Sequence, residues 1–252
     1  MKVFFVGAGP GDPELLTLKA ARLLTNCRIY IYAGSLVSPG VMDVVSGKAE
    51  RHDSAAMSLE EIIRVCSDAK ERNIDVVRLH SGDPSIYGAI REQMNELDRL
   101  DIPYEVVPGV SSFQAAAAAL QAELTAPEVS QTIILTRTSG RTPMPAEQEL
   151  EKLARSQATL CIFLSGHKIE DVVSTLADSY GWDCPAAVVY HASWPDQKIV
   201  RGVLGDIAGK SRVAEIGQTS LIIVGKALAR DIPASKLYDA AFTHKFREGK
   251  ES

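Results

Sequence analysis

The chain has 252 residues, 46% of them hydrophobic and 23% charged, with a formal net charge of −5. This length suits two domains and this composition supplies a full core, which excludes a disordered chain. The acidic balance excludes nucleic acid as the main partner, because phosphate binding needs a basic field, but it leaves room for an anionic small molecule held by a local arginine group.

Lys2 to Val6, KVFFV, is a short apolar run that predicts a buried first strand. Glu14 to Leu24 has helical spacing, with Leu15, Leu18, Leu23 and Leu24 near one face. Arg28 to Tyr32, RIYIY, predicts a second strand. Ser58 opens a helix with a capping box, since Glu61 stands three residues on. Asp75 to His80, DVVRLH, is strand-like and runs into the loop SGDPSIYG, after which a helix is predicted through Ile90 to Leu100. Tyr104 to Val107 is a strand ending at Pro108-Gly109, and Ala115 to Ala119 is a helix of small residues. From Gln131 the pattern restarts: TIILTR, TLCIFLS, AAVVYHAS, KIVRGVL and TSLIIVG read as strands, with helices at Glu147 to Ala154 and Ile169 to Tyr180. After Arg230 the chain turns polar and charged.

Strands alternating with loops and helices predict an α/β fold with a mainly parallel first sheet. The closer strand spacing of the second half predicts a mixed second sheet. The expected domains are 1–114 and 115–235, followed by a polar tail over 236–252. In such sheets ligands bind at the C-terminal ends of strands, where the loops starting at Gly7 and Ser81 both lie. The four cysteines, Cys27, Cys66, Cys161 and Cys184, form no C-x-x-C pair, and the five histidines are scattered. Buried thiols in a reducing compartment are expected, and no metal site. No apolar run reaches membrane-spanning length and the start shows no signal-peptide pattern, so a soluble cytoplasmic protein is expected.

Three loops carry the chemistry. In GAGPGDPELLT, Gly7 to Thr17, a dinucleotide fingerprint starting at Gly7 would need glycine at position 12, where Asp12 stands. Pro10 and Pro13 remove two N–H donors, and a carboxylate beside a pyrophosphate is repulsive. These features oppose a nucleotide-dependent oxidoreductase. The loop is then either a ligand loop or a tight strand-to-helix turn with Asp12 at the helix start. In HSGDPSIYG, Gly82 allows close backbone approach, and Asp83 either accepts from a ligand or caps the next helix. In VVPGVSSFQAA, Ser111 and Ser112 sit at a helix start.

Taken together, GAGPGDPELLT, SGDPSIYG and VPGVSS resemble the loops of the tetrapyrrole methylase family in order and spacing, and the resemblance runs over about residues 1–228. Ala122 to Pro145, AELTAPEVSQTIILTRTSGRTPMP, is similar to the branch that methylates C11 of precorrin-4, as are AGSLVSP and VVYHASWPDQKIVRG. The GRTPMP segment argues against methylation of uroporphyrinogen III or of a protein histidine. No residue separates metal-free precorrin-4 from its cobalt form.

The resemblance implies two α/β domains with the active-site cleft between them, S-adenosylmethionine as donor with S-adenosylhomocysteine as product, no metal, and a homodimer. It implies donor contacts from Pro10, Ser81, Gly82, Asp83, Ile86, Ser111 and Ser112 in the first domain and Leu164, Ala192 and Thr219 in the second. Asp83 is the one candidate with a catalytic role, as loop positioner or substrate contact. Ser81 stands where the family often has a second glycine, and a backbone contact survives that change. Arginine suits the carboxylates of a precorrin because its fork pairs two oxygens. Arg137 and Arg141 of the branch-like segment are the leading candidates; Arg91, Lys168 and Arg201 follow. His191 is expected as a polar loop residue and Trp194 as part of a packed turn.

Overall fold

The computed structural model describes residues 1–140, 142–233, 235, 241–243 and 245–248. Most of the expected polar tail, and Arg141, lie outside the described residues. The chain divides into two compact units. The first is Met1–Ala116 with His191–Gln197, and the second is Ala117–Tyr190 with Lys198–Ser252.

The first unit is built on five parallel strands: β1 (Val3–Gly7), β2 (Ile29–Tyr32), β3 (Glu50–Asp53), β4 (Val76–His80) and β5 (Tyr104–Val107), in the order β3-β2-β4-β1-β5. Its helices are α1 (Leu18–Asn26), α2 (Pro39–Met42), α3 (Leu59–Glu71) and α4 (Arg91–Arg99). Both faces of the sheet are covered, as a parallel sheet requires. Val6, Tyr30, Tyr32, Val77 and Leu79 pack with Ala20, Leu24 and Val41 on one face. Val3, Phe5, Ile29, Ile31 and Val76 pack with Ile62, Cys66, Met94 and Leu97 on the other. Alternation along each strand sends neighbours to opposite faces. The capping box at Ser58 forms in full: Ser58 Oγ accepts from the Glu61 N–H at 3.3 Å and Glu61 accepts from the Ser58 N–H at 2.7 Å.

The helix expected from Glu14 does not run through. Asp12 accepts from the Glu14 N–H and opens a 3-10 turn over Pro13–Leu15; Thr17 then caps α1 through the Ala20 N–H. The local oxygen acceptors at Asp12 and Thr17 win over the leucine pattern. In consequence Leu18 is 91% exposed, and Ala20 and Leu24 take the buried positions. β3 and the ten-residue helix after the ninth strand leave no pattern in the sequence: the first, ERHD, has no apolar residue, and the second, LGDIAGKSRV, carries two glycines and a serine that interrupt its apolar face.

After α5 (Ser112–Leu120), the second unit holds β6 (Ile133–Arg137), α6 (Leu150–Ala154), β7 (Thr159–Phe163), α7 (Ile169–Tyr180), β8 (Pro185–Tyr190), β9 (Lys198–Val203), α8 (Leu204–Val213) and β10 (Ser220–Val224). The sheet order is β6-β7-β10-β8-β9, and only the β6–β7 pair is parallel. The two sheets, one parallel and one mixed, are the fold expected. One face of the second sheet packs Leu160, Ile162, Val188 and Ile222 against Leu150, Val172, Leu176 and Ile207. The four cysteines are buried and unpaired. Among the described residues no helix is long and apolar enough to cross a membrane.

Candidate active site

In the first unit, three loops leave the C-terminal ends of β1, β4 and β5 and are joined backbone to backbone. Gly9 and Gly82 exchange two hydrogen bonds, at 3.2 and 2.8 Å, and the Ala8 N–H donates to His80 O at 2.7 Å. A Cβ on Gly7 would lie 2.6 Å from Gly109 Cα, and one on Gly109 would lie 2.2 Å from Gly82 O. The three strand ends therefore meet at separations that only glycine permits. Asp83 locks the arrangement, since its carboxylate accepts from the Ser85 N–H at 2.7 Å and from the Gly109 N–H at 2.9 Å. It ties the β4 loop to the β5 loop and does not cap α4, which begins after Ile90.

A fourth piece comes from far along the chain. In His191–Gln197, the Trp194 indole N–H donates to Pro10 O at 2.8 Å, across 184 residues of sequence. Ser193 Oγ accepts from the Asp12 N–H at 3.0 Å. A Cβ on Gly11 would collide with the indole at 2.1 Å. On the ring's side His191 stacks at 4.4 Å, and its Nδ1 pairs with the Asp196 carboxylate at 2.9 and 3.0 Å. Ser38, in the AGSLVSP stretch, donates its hydroxyl to Gly11 O. Gly11, Asp12, Pro13, Ser38, Pro39 and the 193–196 turn line a depression of about 570 Å³. Trp194 thus clamps the first loop. No local pattern marks such a role, because the contact joins residues from opposite ends of the chain.

The expected residues of this unit are gathered at that edge of the sheet. Pro10, Gly82 and Ser111 are buried, Ile86 and Ser112 are half-buried, Ser81 is exposed, and Ala192 is buried in the clamping turn. The Ser111 N–H is taken by Gln114 Oε1 at 2.9 Å. Arg91 is the exposed first residue of α4. Several non-glycine residues here have positive φ: Tyr87 (55°), Ala89 (48°), His191 (46°) and Ser193 (69°). Such backbone is costly and tends to gather at ligand sites.

Beneath the β4 loop lies a buried polar seam. Arg78 Nε donates to Gln93 Oε1 at 3.2 Å, and Gln93 Nε2 donates to Ala89 O at 2.9 Å. Arg78 Nη1 and His80 Nε2 have no protein partner. Burial holds Arg78 down at about 10, and burial followed by the Arg78 charge pushes His80 down to about 3, so His80 is neutral.

In the second unit, Leu164 follows β7 with φ 55° and is 63% exposed. Continuing the antiparallel register of β7 and β10 sets exposed Thr219 opposite Ser165, so Leu164 and Thr219 share one sheet edge. The branch-like loop after β6 is pinned by side chains. Arg137 donates from Nη1 to Thr138 O and Thr142 O at 3.2 and 3.1 Å, and from Nη2 to Pro143 O at 3.1 Å. Lys168 Nζ donates to Ser139 O at 2.6 Å, Ser165 Oγ accepts from the Thr138 N–H at 3.0 Å, and Ser139 Oγ donates to Glu149 at 2.8 Å. Arg137 and Lys168 therefore shape the loop that carries Arg141, and Arg201 donates to Leu120 O.

The family model for tetrapyrrole (corrin/porphyrin) methylases matches residues 2–208. The chain is 52% identical over 249 residues to a cobalt-precorrin-4 C(11)-methyltransferase of Methanocaldococcus jannaschii, covering 98% of this chain and 96% of that one. It is 48% identical over 251 residues to a precorrin-4 C(11)-methyltransferase of Pseudomonas aeruginosa, covering 99% and 100%. Among solved structures, a cobalt precorrin-4 methyltransferase superposes with a TM-score of 0.88 at 43% identity, over 90% of this chain and 96% of that one. A uroporphyrin-III C-methyl transferase from Thermus thermophilus, complexed with S-adenyl homocysteine, superposes with a TM-score of 0.75 at 30% identity, over 90% and 93%. The chain belongs to the tetrapyrrole (corrin/porphyrin) methylase family.

Proposed function

We propose that this protein transfers a methyl group from S-adenosylmethionine to C11 of precorrin-4 in cobalamin biosynthesis. The observation that carries the reading is the glycine-to-glycine junction of the three loops, in a chain that matches two C11-methyltransferases over almost its whole length. A junction built of backbone, with Pro10, Gly82, Asp83, Ile86, Ser111, Ser112 and Ala192 at one edge, suits a donor recognised by shape and main-chain hydrogen bonds. The donor supplies a methyl group already activated on a positive sulfur. The chain's task is to hold acceptor carbon, methyl and sulfur in line, and such orientation contributes on the order of 7–11 kcal/mol. Asp83 acts as a positioning residue, because both of its oxygens already hold backbone N–H groups. Arg141 and Arg91 are proposed to receive substrate carboxylates, while Arg137 holds the stretch after β6 through Thr138, Thr142 and Pro143. A cytoplasmic homodimer completes the reading.

The names of the 52% identical relative and of the 0.88 structural neighbour favour a second substrate, the cobalt form of precorrin-4. One experiment decides both points: incubation with methyl-labelled S-adenosylmethionine and either ring, followed by locating the label. Label at C11 of the metal-free ring establishes the first reading, and label only in the cobalt ring establishes the second. Label at another carbon, or none despite bound donor, overturns both.

A further inference from the structure

At the opposite ends of β1, β2 and β4 from the three loops lies a second depression, of about 630 Å³. Its apolar lining comes from Phe4, Leu23, Ile74 and Val77. Arg22 of α1 and Arg28, one residue past the Cys27 cap, stand exposed at its edge. A helix C-terminus commonly explains nearby cations, which satisfy its last carbonyls. Here neither arginine donates to them, and one of those carbonyls, Leu24 O, is taken by Cys27 Sγ at 3.1 Å and by the Ser46 N–H at 3.0 Å. Thr25 Oγ1 and Asn26 Nδ2 fold back onto carbonyls inside the helix, Ala21 O at 2.9 Å and Arg22 O at 2.7 Å. Among the described residues neither guanidinium has a hydrogen-bonding or ion-pairing partner. Asp75, the acidic lining residue, turns its carboxylate to the Lys2 N–H at 2.7 Å.

Two unpaired guanidinium forks beside an apolar lining, in a chain of net charge −5, form a local exception to the acidic surface. A depression of this size fits a drug-sized organic body, since ligand pockets run to roughly 300–1,000 Å³. We propose that it is a second ligand site, separate from the catalytic loops, for a small organic anion with an apolar ring body and an acidic group. The apolar body rests on Phe4 and Leu23, and the acidic group is taken by Arg22 and Arg28 in charge-assisted hydrogen bonds.

The test uses the full chain, saturated with S-adenosylhomocysteine so that the catalytic loops are occupied. The probes are anilinonaphthalene sulfonate and its uncharged parent, phenylnaphthylamine, followed by fluorescence. The sulfonate should bind with one-to-one saturation, and the Arg22→Gln/Arg28→Gln double variant should weaken it at least about tenfold, the loss expected for one charge-assisted hydrogen bond. The uncharged parent should bind both proteins alike, and methyl transfer should be unchanged in the variant. Three results overturn the proposal. One is equal sulfonate affinity in the two proteins. Another is displacement of the sulfonate by raising S-adenosylhomocysteine. The third is a shift of the variant from dimer to monomer in sedimentation, which makes this face a contact between copies.

Discussion

The loops that leave the strand ends of the two units are held by opposite means. In the first unit the strand ends meet main chain to main chain, with Gly7, Gly82 and Gly109 in mutual contact and Asp83 as the tie. In the second, the loop after β6 is held by long side chains, with Arg137 and Lys168 donating to four carbonyls. The first construction leaves no room for a Cβ at Gly7 or Gly109. The second allows sequence change in the loop while keeping its course. That division fits a shared donor and a variable acceptor: a common donor needs an invariant backbone surface, and ring-position specificity needs a loop that can be rewritten.

Gly109→Ala tests the rigid half and should have the largest effect. The new Cβ would fall 2.2 Å from Gly82 O, so the backbone must give way, at a cost of about 3 kcal/mol. Affinity for S-adenosylhomocysteine should fall about 100-fold, equivalent to ~2.8 kcal/mol, measured by calorimetric titration. Donor affinity within a factor of about two of wild type would show that the junction is not part of the donor site.

The cores differ as the loops do. The second unit packs an apolar face, whereas the first buries Arg78 and His80 under the β4 loop. The pKa of His80 is pushed down to about 3, from 6.5, by burial and then by Arg78. A depressed folded value means that its contribution is present above about pH 6.5 and lost as the pH falls toward 3, because the unfolded chain binds a proton that the folded chain refuses. Each pH unit below 6.5 costs about 1.4 kcal/mol, or ~2 kcal/mol at pH 5. His80→Leu should remove that slope in denaturant unfolding between pH 7 and pH 5. A variant that loses stability as steeply as wild type would place the acid sensitivity elsewhere.

Arg137 sharpens the contrast from the other side. Arg137→Met removes three hydrogen bonds on a half-exposed loop and should cost about 1–2 kcal/mol, with a larger proportional loss of tetrapyrrole affinity. Arg137→Lys should not restore that affinity, since one ammonium cannot reproduce the fork that spans three carbonyls. Substrate titration showing that lysine restores affinity would instead make Arg137 a direct contact for a carboxylate.

Much of this was legible in the sequence, for a physical reason. Local rules marked four of the five parallel strands, the Ser58 capping box and the three glycine loops, because each depends on neighbours within a few residues. The same rules misplaced the start of α1, where Asp12 and Thr17 cap two short pieces in place of one helix. Arg137 was expected to bind substrate carboxylates as part of the branch-like segment; its bonds to three carbonyls join residues up to six apart in an irregular loop and could not be foreseen. Trp194 was expected only as a packed turn; its bond to Pro10 joins positions 184 apart, and no periodicity encodes such a contact.

That bond ties the first loop to the distant turn through a ring nitrogen, and it offers the finest test of the contrast. Trp194→Phe keeps a ring against Gly11 and deletes only the N–H donor to Pro10 O. If backbone junctions hold the donor loops, losing this hydrogen bond should cost only about 1 kcal/mol and raise the donor dissociation constant no more than about fivefold. A loss comparable to that of Gly109→Ala would mean that the clamp, and not the glycine junction, sets the first loop. The rigid half of the molecule would then depend on a side chain just as the loop after β6 does.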